Sequence, residues 1–242
     1  MRSTTVTART AGVLFIAATA ASLIGSALLN PVLHSPDYLA TIFANQDRVT
    51  MGAFFWILAG MTSAGIALTL YPVLRQHREG LAIGSVGFRI IEGTLYILGA
   101  VGALLLITLS QQAAVAATSS DQTTGAVLLA LRDRANLAGI LACYVGATMY
   151  YYIFWRSGLI PRWLSGWGIA ATTLGLTAAL LVLFGFTAPL STLQVALNLP
   201  FFVNEMVLAV WLIVKGFAAP PAAGDQADTS TPLPALQMTS RS

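Results

Sequence analysis

Six stretches of the chain stay apolar for about twenty residues, and each is long enough to cross roughly 30 Å of hydrocarbon as a helix. They run from Ala11 to Leu29, about Thr50 to Leu74, Ala82 to Leu109, Asn136 to Trp155, about Trp163 to Phe186, and Ser191 to Phe217. Lipid offers no hydrogen-bond partners, so a spanning backbone must pair internally, as helices or as a closed barrel. The runs are continuous rather than alternating in polarity, which selects helices. Only 9% of residues are charged and the mean hydropathy is +0.77, whereas a soluble domain carries about 25% charged residues. The sequence therefore predicts an all-α, polytopic transmembrane bundle of six helices. Residues 1–10 precede it, residues 11–217 form it, and residues 218–242, rich in Pro, Ala, Ser and Thr, form a tail expected to be disordered.

The first apolar run is longer than the 7–15 residues, roughly, of a signal-peptide core, so it is expected to remain as a span. Orientation follows from Arg and Lys in the short loops. With the N-terminus inside, the inner side carries Arg2, Arg9, Arg75, Arg78, Arg156, Arg162 and Lys215, and the outer side only Arg48, Arg132 and Arg134. Both termini are therefore expected in the cytoplasm. Tyr71, Tyr151, Tyr152, Trp155 and Trp163 fall at the inner boundary, as interface aromatics do. Two outer loops are long enough for short interfacial helices. In the first, Ser35 can cap and Pro36 suits the first helical position, with Leu39, Ile42 and Phe43 on one face. The second, Gln111 to Ala135, reads as a loop and then a short helix leading into the fourth span.

The net charge of +3 comes without any basic block, which excludes a nucleic-acid partner. The bilayer itself is the expected partner. Cys143 is the single cysteine and reads as an inert buried thiol. His34 and His77 lie in loops on opposite sides, so they cannot share a metal. No phosphate-binding loop, HExxH or serine-hydrolase elbow occurs, so the sequence implies no catalytic residue, metal site or cofactor.

Charges at depth are the informative residues. Arg89 and Glu92 lie in the third span and Glu205 in the sixth, each costing about 2.5–3.5 kcal/mol at a helix centre. Glu92 lies eleven residues after Leu81 and Glu205 eleven before Gly216, which puts both about 16 Å from the inner boundary. Arg89, one turn from Glu92, can reach either carboxylate or both. Ser85, Arg89, Glu92 and Tyr96 make one polar stripe. Ser191, Gln194, Asn198 and Glu205 make another, with Asn204 beside it and Pro200 expected to kink the helix. Tyr144, Thr148 and Tyr151 make a third in the fourth span. Arg89, Glu92, Glu205, Asn204, Asn198, Tyr96 and Tyr144 are the candidate pocket. Small residues at spacings of four (Ala18, Ser22, Ser26; Gly60, Ala64; Ala171, Gly175, Ala179) are expected to let helices pack closely within the bundle. They would also suit a homo-oligomer.

Several strings sit in a familiar order. They are Leu70-Tyr71-Pro72-Val73-Leu74-Arg75, Val86-Gly87-Phe88-Arg89-Ile90-Ile91-Glu92, Ser157-Gly158-Leu159-Ile160-Pro161-Arg162, and Asn204-Glu205 followed by Trp211 to Phe217. Together they resemble a bacterial multi-pass membrane family catalogued as domain of unknown function 4386, over roughly Arg9 to Phe217. The resemblance implies an integral protein of the bacterial inner membrane and implies no activity.

Three functional readings follow. The first is a protein that binds or moves a small molecule, ion or proton through Arg89, Glu92 and Glu205. The second is a scaffold or regulatory subunit in which the trio is structural. The third is an intramembrane enzyme acting on a lipid-soluble substrate. A polar cavity at the trio would favour the first, dry packing the second, and a lateral opening with an exposed nucleophile the third.

Overall fold

A computed structural model describes residues 2–116 and 118–218. Six helices follow one another: α1 (Arg2–Leu33), α2 (Tyr38–Ala44), α3 (Gln46–Val115), α4 (Ser119–Ser157), α5 (Arg162–Leu183) and α6 (Thr192–Val214). The tail beyond Ala218 lies outside the described residues.

Five of these helices are long and apolar enough to cross a membrane. Helix α3 crosses twice, because its backbone leaves helical geometry at Arg78 (φ −152°, ψ 87°). Ser63 and Glu92 are 29 residues apart yet hydrogen bonded at 2.7 Å. In a straight helix they would stand about 44 Å apart. The two arms, 46–77 and 79–115, are therefore antiparallel neighbours, and the six expected spans are all present. Gln76, His77, Arg78 and Glu79 supply the polar turn.

The reversal is tight because glycine faces glycine. A Cβ on Gly60 would lie 2.6 Å from the Gly93 carbonyl oxygen, so the arms touch through backbone. Each helix then packs on the next, α1 on α3, α3 on α4, α4 on α5, α5 on α6, and α6 closes the ring against α1. Only 28% of the apolar windows of α1 and α6 is buried inside the protein. Leu23, Phe54, Met61, Leu68, Leu105 and Val210 face outward. An apolar exterior of this extent needs lipid against it. The protein is a membrane-embedded helical bundle.

Two hydrophobic clusters fill the interior. One runs from the end carrying the termini and includes Phe15, Ile66, Leu70, Tyr150, Phe154 and Leu208. The other gathers at the α2 end around Leu29, Ile42, Trp56, Ala103 and Leu106. Along both arms of α3 the membership changes at one level. Trp56 and Ile66 flank Ser63, and Ala82 and Ala100 flank Arg89 and Glu92. The buried polar groups occupy this seam.

Four local expectations are corrected. No long second outer loop forms, since α3 continues to Val115 and α4 begins at Ser119. The Ala- and Leu-rich segment favours helix, and the Asp121 carboxylate accepts from the Thr118 N–H at 2.8 Å, so the short helix expected there is continuous with α4. Helix α2 starts at Tyr38 after Asp37, and Ser35 does not cap it. Instead Ser35 Oγ lies 3.0 Å from the Val32 carbonyl, at the end of α1. Ile42 points inward while Phe43 is exposed. Tyr151 is not an interface aromatic, because its ring is fully buried against Gly168 of α5.

The glycine contact makes a prediction. Gly60→Ala should lower stability by about 1–3 kcal/mol, since backbone must move. Gly87→Ala, where an added Cβ meets nothing within 4 Å, should leave it unchanged or raise it by up to about 1 kcal/mol. Thermal unfolding in mild detergent measures both.

Candidate functional site

Arg89 sits in the seam, 3% exposed, and its guanidinium reaches across the ring. Nη1 donates to Glu92 Oε2 at 3.1 Å and to Ser63 Oγ at 3.2 Å. Nη2 donates to Glu205 Oε1 at 3.0 Å and to the Tyr150 hydroxyl at 3.0 Å. The Ser63 hydroxyl donates to Glu92, and the Tyr150 hydroxyl donates to Glu205 at 3.3 Å. Phe15 of α1 and the Tyr150 ring lie 6.0 and 5.5 Å from the guanidinium carbon, within cation–π range. One side chain thus contacts α1, both arms of α3, α4 and α6.

The spacing of the elements explains the convergence. Arg89 and Glu92 are one turn apart on the second arm, so they share a face. The Gly60–Gly93 contact sets the register that brings Ser63 against Glu92. Glu205 enters from α6, which packs on α1 and α5, so its link to Arg89 crosses the ring interior. The side chains of Arg89 and Glu92 are 3% and 4% exposed and that of Glu205 14%.

The other expected residues lie elsewhere. Asn198 accepts from the Tyr144 hydroxyl at 2.5 Å, and the Tyr144 ring packs edge-on against Phe201 at 5.0 Å. This is a second α4–α6 bridge, two helical turns from Glu205 along α6. Asn204 turns to α5 and donates to the Leu164 carbonyl at 3.2 Å. Tyr96 packs edge-on against Trp56, 4.9 Å between centroids. The seven candidates therefore form a central trio, one bridge and two separate contacts.

Ser63, Tyr150 and Phe15 were not among the candidates, though they complete the cluster. Tyr150 follows Cys143 and Ala147 at helical spacing, but Tyr151 follows Tyr144 and Ala147 in the same way and all are buried, so spacing alone does not single out Tyr150. Ser63 carries no signal either, because only the reversal at Arg78 brings it to the acid.

Several buried polar atoms have no protein partner: Arg89 Nε, Ser85 Oγ, Tyr151 Oη and Asn204 Oδ1, and at the α2 end Trp56 Nε1 and Asn136 Oδ1. There, Arg132 bonds Asp133 at 2.8 Å, and His34 lies 3.6 Å from the same carboxylate. A larger cleft on the α2 face, between Tyr38, Phe43 and Ala113, does not reach the trio.

The bundle and its buried Arg–carboxylate cluster define an integral membrane protein with an intramembrane ion network. Residues 10–216 match the family described as a domain of unknown function (DUF4386), and the chain belongs to that family. No curated protein and no solved structure matches the chain.

The geometry predicts unequal losses. Arg89→Met leaves two buried carboxylates unpaired and should cost about 3–5 kcal/mol. Tyr150→Phe should cost about 1 kcal/mol. Glu205→Gln leaves one carboxylate on one guanidinium and should be neutral or stabilising. Unfolding midpoints of the three variants and wild type decide this ranking.

Proposed function

We propose that this protein binds a proton inside the membrane, shared by Glu92 and Glu205 with Arg89 as the fixed counter-charge. The observation that carries the reading is the charge count: two buried carboxylates meet one guanidinium. Fully ionised, the cluster would hold an uncompensated negative charge at a depth where charge is expensive. A proton on one carboxyl removes it, and closely coupled acids titrate as a pair rather than singly. Among a small molecule, an ion and a proton, the proton is the one that needs no cavity. That agrees with the packing, whereas a larger solute would require the helices to separate. Glu92 is the better held, by Ser63 and Arg89, and Glu205 is the more exposed. The distribution of Arg and Lys supports placing both termini in the cytoplasm, with the α2 end outside.

The dry packing also favours a second reading, a purely structural network that fixes helix register. Infrared difference spectroscopy against pH separates the two. A protonated carboxylic C=O band should titrate in wild type. It should vanish in both Glu92→Gln and Glu205→Gln, because the remaining acid then pairs one-to-one with Arg89. A wild type with no such band would establish the structural reading.

A further inference from the structure

The two buried acids are held differently. Glu92 accepts on both oxygens: the Arg89 Nη1–H reaches Oε1 at 3.5 Å and Oε2 at 3.1 Å, and the Ser63 hydroxyl reaches Oε2 at 2.7 Å. Glu205 accepts on one. Arg89 Nη2 at 3.0 Å and the Tyr150 hydroxyl at 3.3 Å both meet Oε1. No described residue donates to Glu205 Oε2. Nor is that oxygen sealed, because the sealed, unpartnered side-chain atoms among the described residues belong to Trp56, Ser85, Arg89, Asn136, Tyr151 and Asn204. The Glu205 side chain is 14% exposed against 4% for Glu92, and its opening includes Oε2.

Adding a proton therefore disturbs the two acids unequally. On either oxygen of Glu92 it would point at an Arg89 N–H or displace the Ser63 hydroxyl. Arg has donors only, so donor would face donor, and a carboxylate that accepts several hydrogen bonds is held in its ionised form. On Glu205 Oε2 the proton breaks no hydrogen bond, because Oε1 keeps both of its donors. Left ionised, Oε2 would carry charge at mid-depth with no protein donor facing it, which is the costly arrangement.

We infer that Glu205 is the acid that gains and loses the proton, at Oε2 and from outside the cluster, while Glu92 stays the ionised partner of Arg89. The inference rests on the proton reading above and adds which acid carries the proton and on which oxygen. The charged and titratable groups facing Glu205 are Arg89 and Glu92 on the second arm of α3, and Cys143, Tyr144, Tyr150 and Tyr151 on α4. None of them donates to Oε2. The titratable residues of α1 and α5 are Arg2, Arg9 and Arg162, toward the starts of those helices. The step is a proton transfer only: an acid of the surroundings gives its proton to Oε2, one O–H bond forms there, and Oε1 keeps its partners.

The experiment treats the purified full-length protein in mild detergent with dicyclohexylcarbodiimide, an apolar reagent that adds to protonated carboxyls. The acid O–H adds across one C=N bond, and the acyl group then shifts from oxygen to nitrogen. A stable N-acylurea remains on the residue, and nothing is released. Peptide mass mapping should find the adduct on Glu205 and not on Glu92. Its rate of formation should fall together with the carboxylic C=O band, by about tenfold per pH unit above the band's midpoint, as the protonated fraction does. Glu205→Gln should carry no adduct on Glu92, which then pairs one-to-one with Arg89. An adduct on Glu92, in wild type or in Glu205→Gln, would overturn the assignment while keeping a proton site. A titrating band with no adduct on Glu205, or with an adduct whose rate ignores pH, would overturn it as well. Absence of the band from wild type would remove the proton site and the assignment together.

Discussion

A single guanidinium ties the bundle together. Arg89 is buried where two hydrophobic clusters meet, and it contacts five of the six membrane passes through Phe15, Ser63, Glu92, Tyr150 and Glu205. No apolar side chain could do this, because dispersion between helices is matched by dispersion with lipid, and only directional polar contacts distinguish one helix arrangement from another. The Gly60–Gly93 contact sets the register of the two arms of α3, and Arg89 then joins both arms to α6 through its acceptors.

The cluster is tightly packed and yet unbalanced in charge. Tight packing with satisfied hydrogen bonds is what a register-fixing network requires. An excess carboxylate is not, since a one-to-one pair would hold the helices at lower electrostatic cost. On the proposed proton reading, Glu205 beside an already paired Arg89 gives the cluster two charge states separated by one proton. It also places the second acid on α6, which joins the ring by packing on α1 and α5 and reaches α3 and α4 through polar contacts at Glu205 and Asn198.

Much of the fold was legible because lipid imposes one-dimensional rules. Length and apolarity set the six passes, and the Ser157 to Arg162 turn is legible from Pro161, which breaks the helix, and Arg162; the structure adds that Gly158 takes a φ of +70°, which suits glycine. The misreadings came where local propensity overrode expectation. The Ala-rich segment before Asn136 reads as a loop but extends α4, and Ser35 caps no helix, its hydroxyl meeting the Val32 carbonyl and Thr41 instead. Within the site, Arg89, Glu92 and Glu205 stood out because charge at depth is rare. Ser63 and Tyr150 did not, because serine and tyrosine are ordinary in such helices. Tyr96 on its stripe and Asn204 beside the other turn to Trp56 and Leu164, since a stripe on one helix does not say which neighbour it meets.

The sequence by itself determined that the chain is a helical membrane protein with three charges near mid-depth, because hydrocarbon thickness and the cost of burying charge depend on residue identity and order alone. Only the tertiary structure decided that these charges form one cluster, that Ser63 and Tyr150 complete it, and that Trp56 and Tyr96 pack on each other beside it. Those facts depend on the Gly60–Gly93 contact and the closing of the ring by α6 on α1. They bring together residues far apart in the chain, and no periodicity along one helix encodes the angle at which another arrives.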